Sequence, residues 1–179
     1  MQRFMIGLLF TLFLASWASS VLSSIDNDKA NLSSEKQMIG ELVDGLHDSA
    51  RRADLTGYLG AFTQSGVFMG TDDWERWTRP KTLDAYVKER FKEGVGWTYK
   101  SVERHINMTQ SQDFAWFDEI IVSEKWGRFR GTGVVVKEQD NWKITHYSMS
   151  VLVANEAFFD IAEINKKAFK SRDKTDSKN

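Results

Sequence analysis

A change of period at Gly96 constrains this chain more than any other feature of its sequence. From residue 97 onward, apolar residues stop recurring every three or four positions and alternate instead, in four runs at about 97–108, 113–125, 128–138 and 142–153. The runs are separated by "TQSQ", "WG" and "EQDN", connections short enough for antiparallel hairpins. Four strands joined in this way form a meander. A meander turns alternate residues to each face, so the core that covers one face must come from elsewhere in the chain.

That cover lies upstream. Met38, Ile39, Leu42, Val43, Leu46 and Ala50 repeat at helical spacing from Ser33 or Ser34 on, with Glu35, Glu41, Asp44 and Asp48 mostly off the stripe. A short second helix carries Leu55, Tyr58, Leu59 and Phe62. A brief strand at "GVFMG" and the loop "TDDWERWTRP" follow it. The only proline, Pro80, stands near the start of a third helix with the stripe Leu83, Tyr86, Val87 and Phe91. Helices followed by a meander predict an α+β domain: N-terminal helices packed against a strongly curved antiparallel sheet. The domain is expected over 35–155, with a C-terminal helix over 156–170 and a disordered polar tail over 171–179.

The first residues read as an address. Arg3 precedes the apolar run "FMIGLLFTLFLASWA" and then small residues, the order of a secretory signal spanning residues 1–24 and too short for a membrane span. The mature protein is expected to be secreted or periplasmic, with no membrane attachment after cleavage. With no cysteine, no disulfide supplements the core. A net charge of -1 supplies no general attraction to nucleic acid, so no nucleic-acid partner is expected. Neither a phosphate-binding loop nor a dinucleotide fingerprint occurs, because "RGTGV" lies inside a strand instead of opening a helix. Metal binding by His105, His146 and a carboxylate has no recognised ligand spacing. No metal and no cofactor are expected.

Candidate site residues follow from the faces of the meander. "AWFDEII" places adjacent carboxylates, Asp118 and Glu119, in mid-strand, where they point to opposite faces. Ungapped pairing sets Glu103 opposite Asp118, His105 opposite Trp116 and His146 opposite Gly133. One face then holds Trp97, Tyr99, Glu103, His105, Trp116, Asp118, Ile120, Gly131, Gly133, Ile144, His146, Ser148 and Ser150. Two imidazoles, two carboxylates and a phenol among aromatic rings are the composition of a pocket. Asp118 is therefore expected to face a cavity, and Glu119 to lie on the far side near Arg104 and Arg130, in an ion pair or a dimer contact. Phe117, Ile121, Val134, Val136 and Met149 on that far face are expected to pair across a homodimer. In the loop "TDDWERWT", Trp77 is expected to pack on the third helix or the cavity wall, and Arg76 to pair with a carboxylate at the entrance.

The segments "GTDDWERWT", "GWTYKSVERH", "AWFDE", "RGTGVVV" and "WKITHYSMS", in this order and spacing, resemble the SnoaL-like branch of the nuclear transport factor 2-like superfamily over roughly residues 35–155. The resemblance implies a cone-shaped α+β barrel with an internal cavity and dimerisation through the outer face of the sheet. It does not choose among the activities found on that fold. Three expectations follow. The first is a binding domain for a small apolar or ring-containing molecule, with Trp97, Trp116, Trp77, Arg76 and Ser148 as contacts. The second is a cofactor-independent lyase or isomerase, with Asp118 or His105 as base, Tyr99 or His146 polarising a carbonyl, and Glu103 beside them. The third is a dimeric assembly module.

Overall fold

The computed structural model describes the backbone of residues 4–176 and the side chains of residues 28–173, so the expected secretory segment, 1–24, lies outside the residues described at side-chain level. Helix α1 (Phe4–Arg51) is followed by α2 (Leu55–Gly60), β1 (Phe62–Met69), β2 (Arg76–Thr78) and α3 (Thr82–Arg90). The meander is β3 (Lys100–Met108), β4 (Phe114–Ser123), β5 (Gly127–Glu138) and β6 (Asn141–Val151), and α4 (Phe158–Asp176) follows a 3-10 turn at Asn155–Ala157.

The strands form one curved, open sheet in the order β2-β1-β6-β5-β4-β3. This is the expected α+β architecture with one correction: the sheet is mixed, because β1 runs parallel to β6. The parallel pair needs a crossover, which the chain makes through the loop, β2 and α3 before returning along the meander. The three-residue edge strand β2 occupies part of the segment expected as a loop. The C-terminal helix extends through the segment expected as a tail, to Asp176, and Arg172 there donates to Asp72 and Asp73 at 2.8 Å each.

Helix α1 lies on the concave face. Its stripe of Ile39, Val43, Leu46 and Ala50 is buried against Phe117, Ile121, Val135, Ile144 and Tyr147 of the sheet. Each of the larger aliphatic and phenylalanine side chains contributes about 1.5–3 kcal/mol on burial, which in a chain without disulfides is the main source of stability. Two carboxylates fasten the helix as well. Glu35 accepts from Lys137 Nζ at 2.6 Å and Trp142 Nε1 at 2.7 Å, tying one part of α1 to β5 and β6. Further along, Asp44 and His47 meet Arg104 and Glu119 of β3 and β4.

Three one-residue irregularities decide which way the strands face. In β3 the register shifts between Ser101 and Glu103, so Tyr99 points inward, while Arg104, Ile106 and Met108 point inward beyond the shift. Between β4 and β5 the turn has three residues, Glu124–Trp126, and ends at Gly127 with φ +82°, a conformation glycine adopts at no steric cost. Glu119, and not Asp118, therefore stands opposite the inward Gly131. In β6 the register shifts between Ile144 and His146, so Trp142 and Ile144 face inward, as do Tyr147 and Met149 beyond the bulge. The β5–β6 turn itself is a two-residue connection, with Gln139 and Asp140 both at positive φ.

Candidate functional site

Between α1, α2, α3 and the inner face of the sheet lies an open cavity of about 390 Å³, with Trp126 of the β4–β5 turn and Gly70, Thr71 and Glu75 of the β1–β2 loop in its lining. That volume is in the range of pockets for small organic ligands. The walls are aromatic. Trp77 of β2 stacks on Tyr86 of α3 with ring centroids 4.0 Å apart, and Phe68 of β1 stacks on Tyr147 of β6 at 5.5 Å with an interplanar angle of 4°. Trp97 packs against Tyr58 at 5.7 Å and Phe91 at 5.4 Å, and Tyr99 meets Phe129 edge-on at 5.2 Å.

A polar cluster lies behind these walls and reaches the cavity through His47 and Tyr147. Glu119, 1 % exposed, accepts through Oε1 from the Tyr147 hydroxyl and from His47 Nε2, each at 2.9 Å. Through Oε2 it accepts from Arg104 Nε at 3.1 Å and Nη2 at 2.8 Å. Arg104 also reaches Asp44 Oδ1 at 2.7 Å and the Gly40 carbonyl at 3.0 Å. Burial pushes the Glu119 carboxyl up, but the bond and charge of His47 and the guanidinium of Arg104 outweigh it and hold the group at about 2. Glu119 is thus an anion at neutral pH. Because it only accepts, His47 Nε2 must be the protonated nitrogen, and in the neutral ring Nδ1 carries the lone pair. Burial, with the Glu119 charge next, raises Tyr147 well above the usual phenol range and keeps it a donor.

Gly131 and Gly133 make this arrangement sterically feasible. A side chain at Gly131 would collide with the Tyr147 hydroxyl and Glu119 Cγ, and one at Gly133 with the Phe117 ring. The glycines face the cavity side, and the space in front of them is taken by Tyr147 and Phe117.

Of the residues singled out in the sequence, Trp97, Tyr99 and Trp77 line the cavity. Trp77 also packs on α3 as expected. Asp118, Glu103, His105, His146, Trp116 and Ser148 do not: the two bulges and the three-residue turn put them on the convex face. There Glu103 and His105 bond to each other at 2.9 Å, and His105 stands opposite Asp118. The roles of the two carboxylates in "AWFDEII" are reversed: Glu119 points inward and Asp118 outward. Arg130 is on the convex face too, so of the two expected arginines only Arg104 reaches Glu119. Phe117, Ile121 and Met149, expected on an outer apolar face, are core residues. Arg76 is exposed and forms no ion pair among the described residues; Arg79 instead pairs with Asp84 at 2.9 Å.

Sequence reasoning passed over His47, Tyr58, Tyr86 and Arg90 as site residues. A signal for His47 was available: it falls four residues after Val43 and three before Ala50, on the stripe of α1 that faces the sheet.

Residues 39–154 match the model of the SnoaL-like domain. With well over half its length accounted for in this way, the chain belongs to the SnoaL-like family. Solved structures agree on the fold. A domain of unknown function with a cystatin-like fold from Nostoc punctiforme PCC 73102 superposes with a TM-score of 0.62 at 17% identity, covering 80% of this chain and 93% of its own. An NTF2-like protein of unknown function from Pseudomonas putida KT2440 gives 0.57 at 13% identity, covering 70% and 92%. A candidate ketosteroid isomerase from Parabacteroides distasonis ATCC 8503 gives 0.52 at 15% identity, covering 64% and 85%. No curated protein matches the chain significantly in sequence.

Proposed function

We propose that this SnoaL-like domain binds one small, ring-containing, largely apolar molecule in its cone cavity, and that residues 1–24 direct it out of the cytoplasm. The observation that carries the reading is the open cavity of about 390 Å³ walled by Trp77, Trp97, Phe68, Tyr58 and Tyr99. Stacked and edge-on rings leave flat apolar surface for a planar guest, and aromatic contacts add to simple area burial. Titration calorimetry with a panel of aromatic and alicyclic compounds tests it. Binding that Trp97→Ala weakens at least tenfold supports the reading, and a panel without a single binder refutes it.

A second reading, a cofactor-independent lyase or isomerase, is favoured by the pairing of His47 with Glu119 beside the cavity. Glu119 is too acidic to be the base itself, but its bond to Nε2 orients His47, whose ring stands in the cavity lining. The isomerase-like neighbour from Parabacteroides lends this reading support. It predicts that His47→Gln abolishes turnover of a bound substrate while leaving its affinity within a few-fold. Either function is compatible with a homodimer formed through the convex face, where Val102, Phe114 and Trp116 are exposed. Light scattering of the wild type and Trp116→Glu tests that arrangement: a wild-type mass of one chain at high concentration refutes it.

A further inference from the structure

The ligand-binding reading can be narrowed to a chemical class, and the narrowing rests on that reading. Three phenols reach the cavity from separate elements: Tyr58 from α2, Tyr86 from α3, and Tyr99 from the segment leading into β3. None of their hydroxyls donates to a protein acceptor among the described residues, unlike Tyr147, whose hydroxyl is spent on Glu119. Burial raises all three above the ordinary phenol range, so they are protonated donors at neutral pH.

The charges at the rim are unequal in their partners. Arg90 lies 5.9 Å over the Trp97 ring, and its hydrogen bond runs from Nη1 to the Val95 carbonyl at 3.2 Å; no carboxylate among the described residues pairs with it. Glu75, the carboxylate in the lining, is already held by its own loop, with Oε2 accepting from the backbone N–H of Thr71 at 2.7 Å and of Asp72 at 3.0 Å. The lining therefore offers phenol hydroxyls that donate to no protein acceptor and a guanidinium in no ion pair among the described residues, beside a Glu75 whose charge is felt at Tyr86 and Tyr99 and whose Oε2 is engaged by its own loop. A site of this kind discriminates strongly against a guest that leaves its donors unpaired.

We propose that the cavity takes a planar ring compound bearing a carboxylate, with the ring against Trp77 and Trp97 and the carboxylate directed to Arg90 and the phenols of Tyr86 and Tyr99. Guanidinium and carboxylate are matched in planarity as well as charge. A purely apolar ring of the same size would fill the same walls and leave those donors dry.

Three probes with one ring system separate the possibilities: 2-naphthoate, its neutral methyl ketone 2-acetylnaphthalene, and 2-methylnaphthalene, each titrated calorimetrically into the full chain. Expected is at least tenfold tighter binding of 2-naphthoate than of 2-methylnaphthalene. Arg90→Gln should bring 2-naphthoate down to the level of the ketone, and Tyr86→Phe and Tyr99→Phe should each weaken it several-fold. Unchanged affinity for 2-methylnaphthalene in all three variants is the internal check that the cavity is intact. If 2-methylnaphthalene binds the wild type as tightly as 2-naphthoate, the carboxylate assignment is overturned while the ligand-binding reading stands. Equal affinity for ketone and carboxylate, with Arg90→Gln silent, overturns it too. Failure of all three probes to bind overturns both.

Discussion

Replacing Glu119 by glutamine should cost the fold more than any other near-isosteric change in the chain. The carboxylate receives four hydrogen bonds, two on each oxygen, and is 1 % exposed. Glutamine keeps one acceptor oxygen but presents an NH2 group to two of the four donors, and it removes the charge that compensates a largely buried guanidinium. Breaking one side of a buried pair costs about 3–5 kcal/mol. Arg104 keeps Asp44 and the Gly40 carbonyl, so the lower end, roughly 3 kcal/mol, is the expected value. A carboxyl held at about 2 instead of 4.5 independently corresponds to roughly 3 kcal/mol. In a domain of this size the loss would lower Tm by about 6–12 °C.

The pH dependence gives a sharper reading. Glu119 has a depressed folded-state pKa, so its contribution is complete above about 4.5 and is lost as pH falls toward 2. Urea titrations of wild type and Glu119→Gln, followed by circular dichroism, should show a gap near 3 kcal/mol at pH 7 that closes between pH 4.5 and 2. A gap below about 1 kcal/mol at pH 7, or one that persists unchanged to pH 2, refutes the reasoning.

Gly131→Ala drives a methyl into the Tyr147 hydroxyl and Glu119, and should destabilise by about 1–3 kcal/mol in the same urea assay. Trp77→Ala removes the ring stacked on Tyr86 and should cost about 3–5 kcal/mol, read as a lowered denaturation midpoint. Asp118→Asn and His105→Ala, both on the convex face, should leave affinity for any cavity ligand within two-fold by calorimetry; a tenfold loss in either would mean that the site extends through the sheet.

The change of period at Gly96, the four hairpin strands and the stripes of α1 and α3 were all legible, because each rests on repetition over many residues. The faces were not, because each depends on a single residue. The shift in β3 separates inward Tyr99 from outward Glu103, the third residue of the β4–β5 turn separates Asp118 from Gly131, and the shift in β6 separates inward Ile144 from outward His146. With a period of two, one inserted residue inverts every side chain beyond it. Trp97 and Tyr99 lie on the inner face read for them because they precede the first irregularity, and Trp77 is buried because its size makes exposure costly. The parallel pairing of β1 with β6 leaves no local mark, since its partners are some eighty residues apart.

The clasp between Arg172 and the Asp72–Asp73 pair joins positions 100 and 99 residues apart, and it holds the loop beside Thr71 and Glu75 at the cavity rim. All three side chains meet solvent, so the clasp is sensitive to ionic strength in a way that the buried Glu119 cluster is not. Under the proposed ligand binding, preparations that differ only in salt, or in a truncation that removes Arg172, should then exchange guests at different speeds. An association rate measured on a shortened chain would describe a doorway that the longer chain does not have.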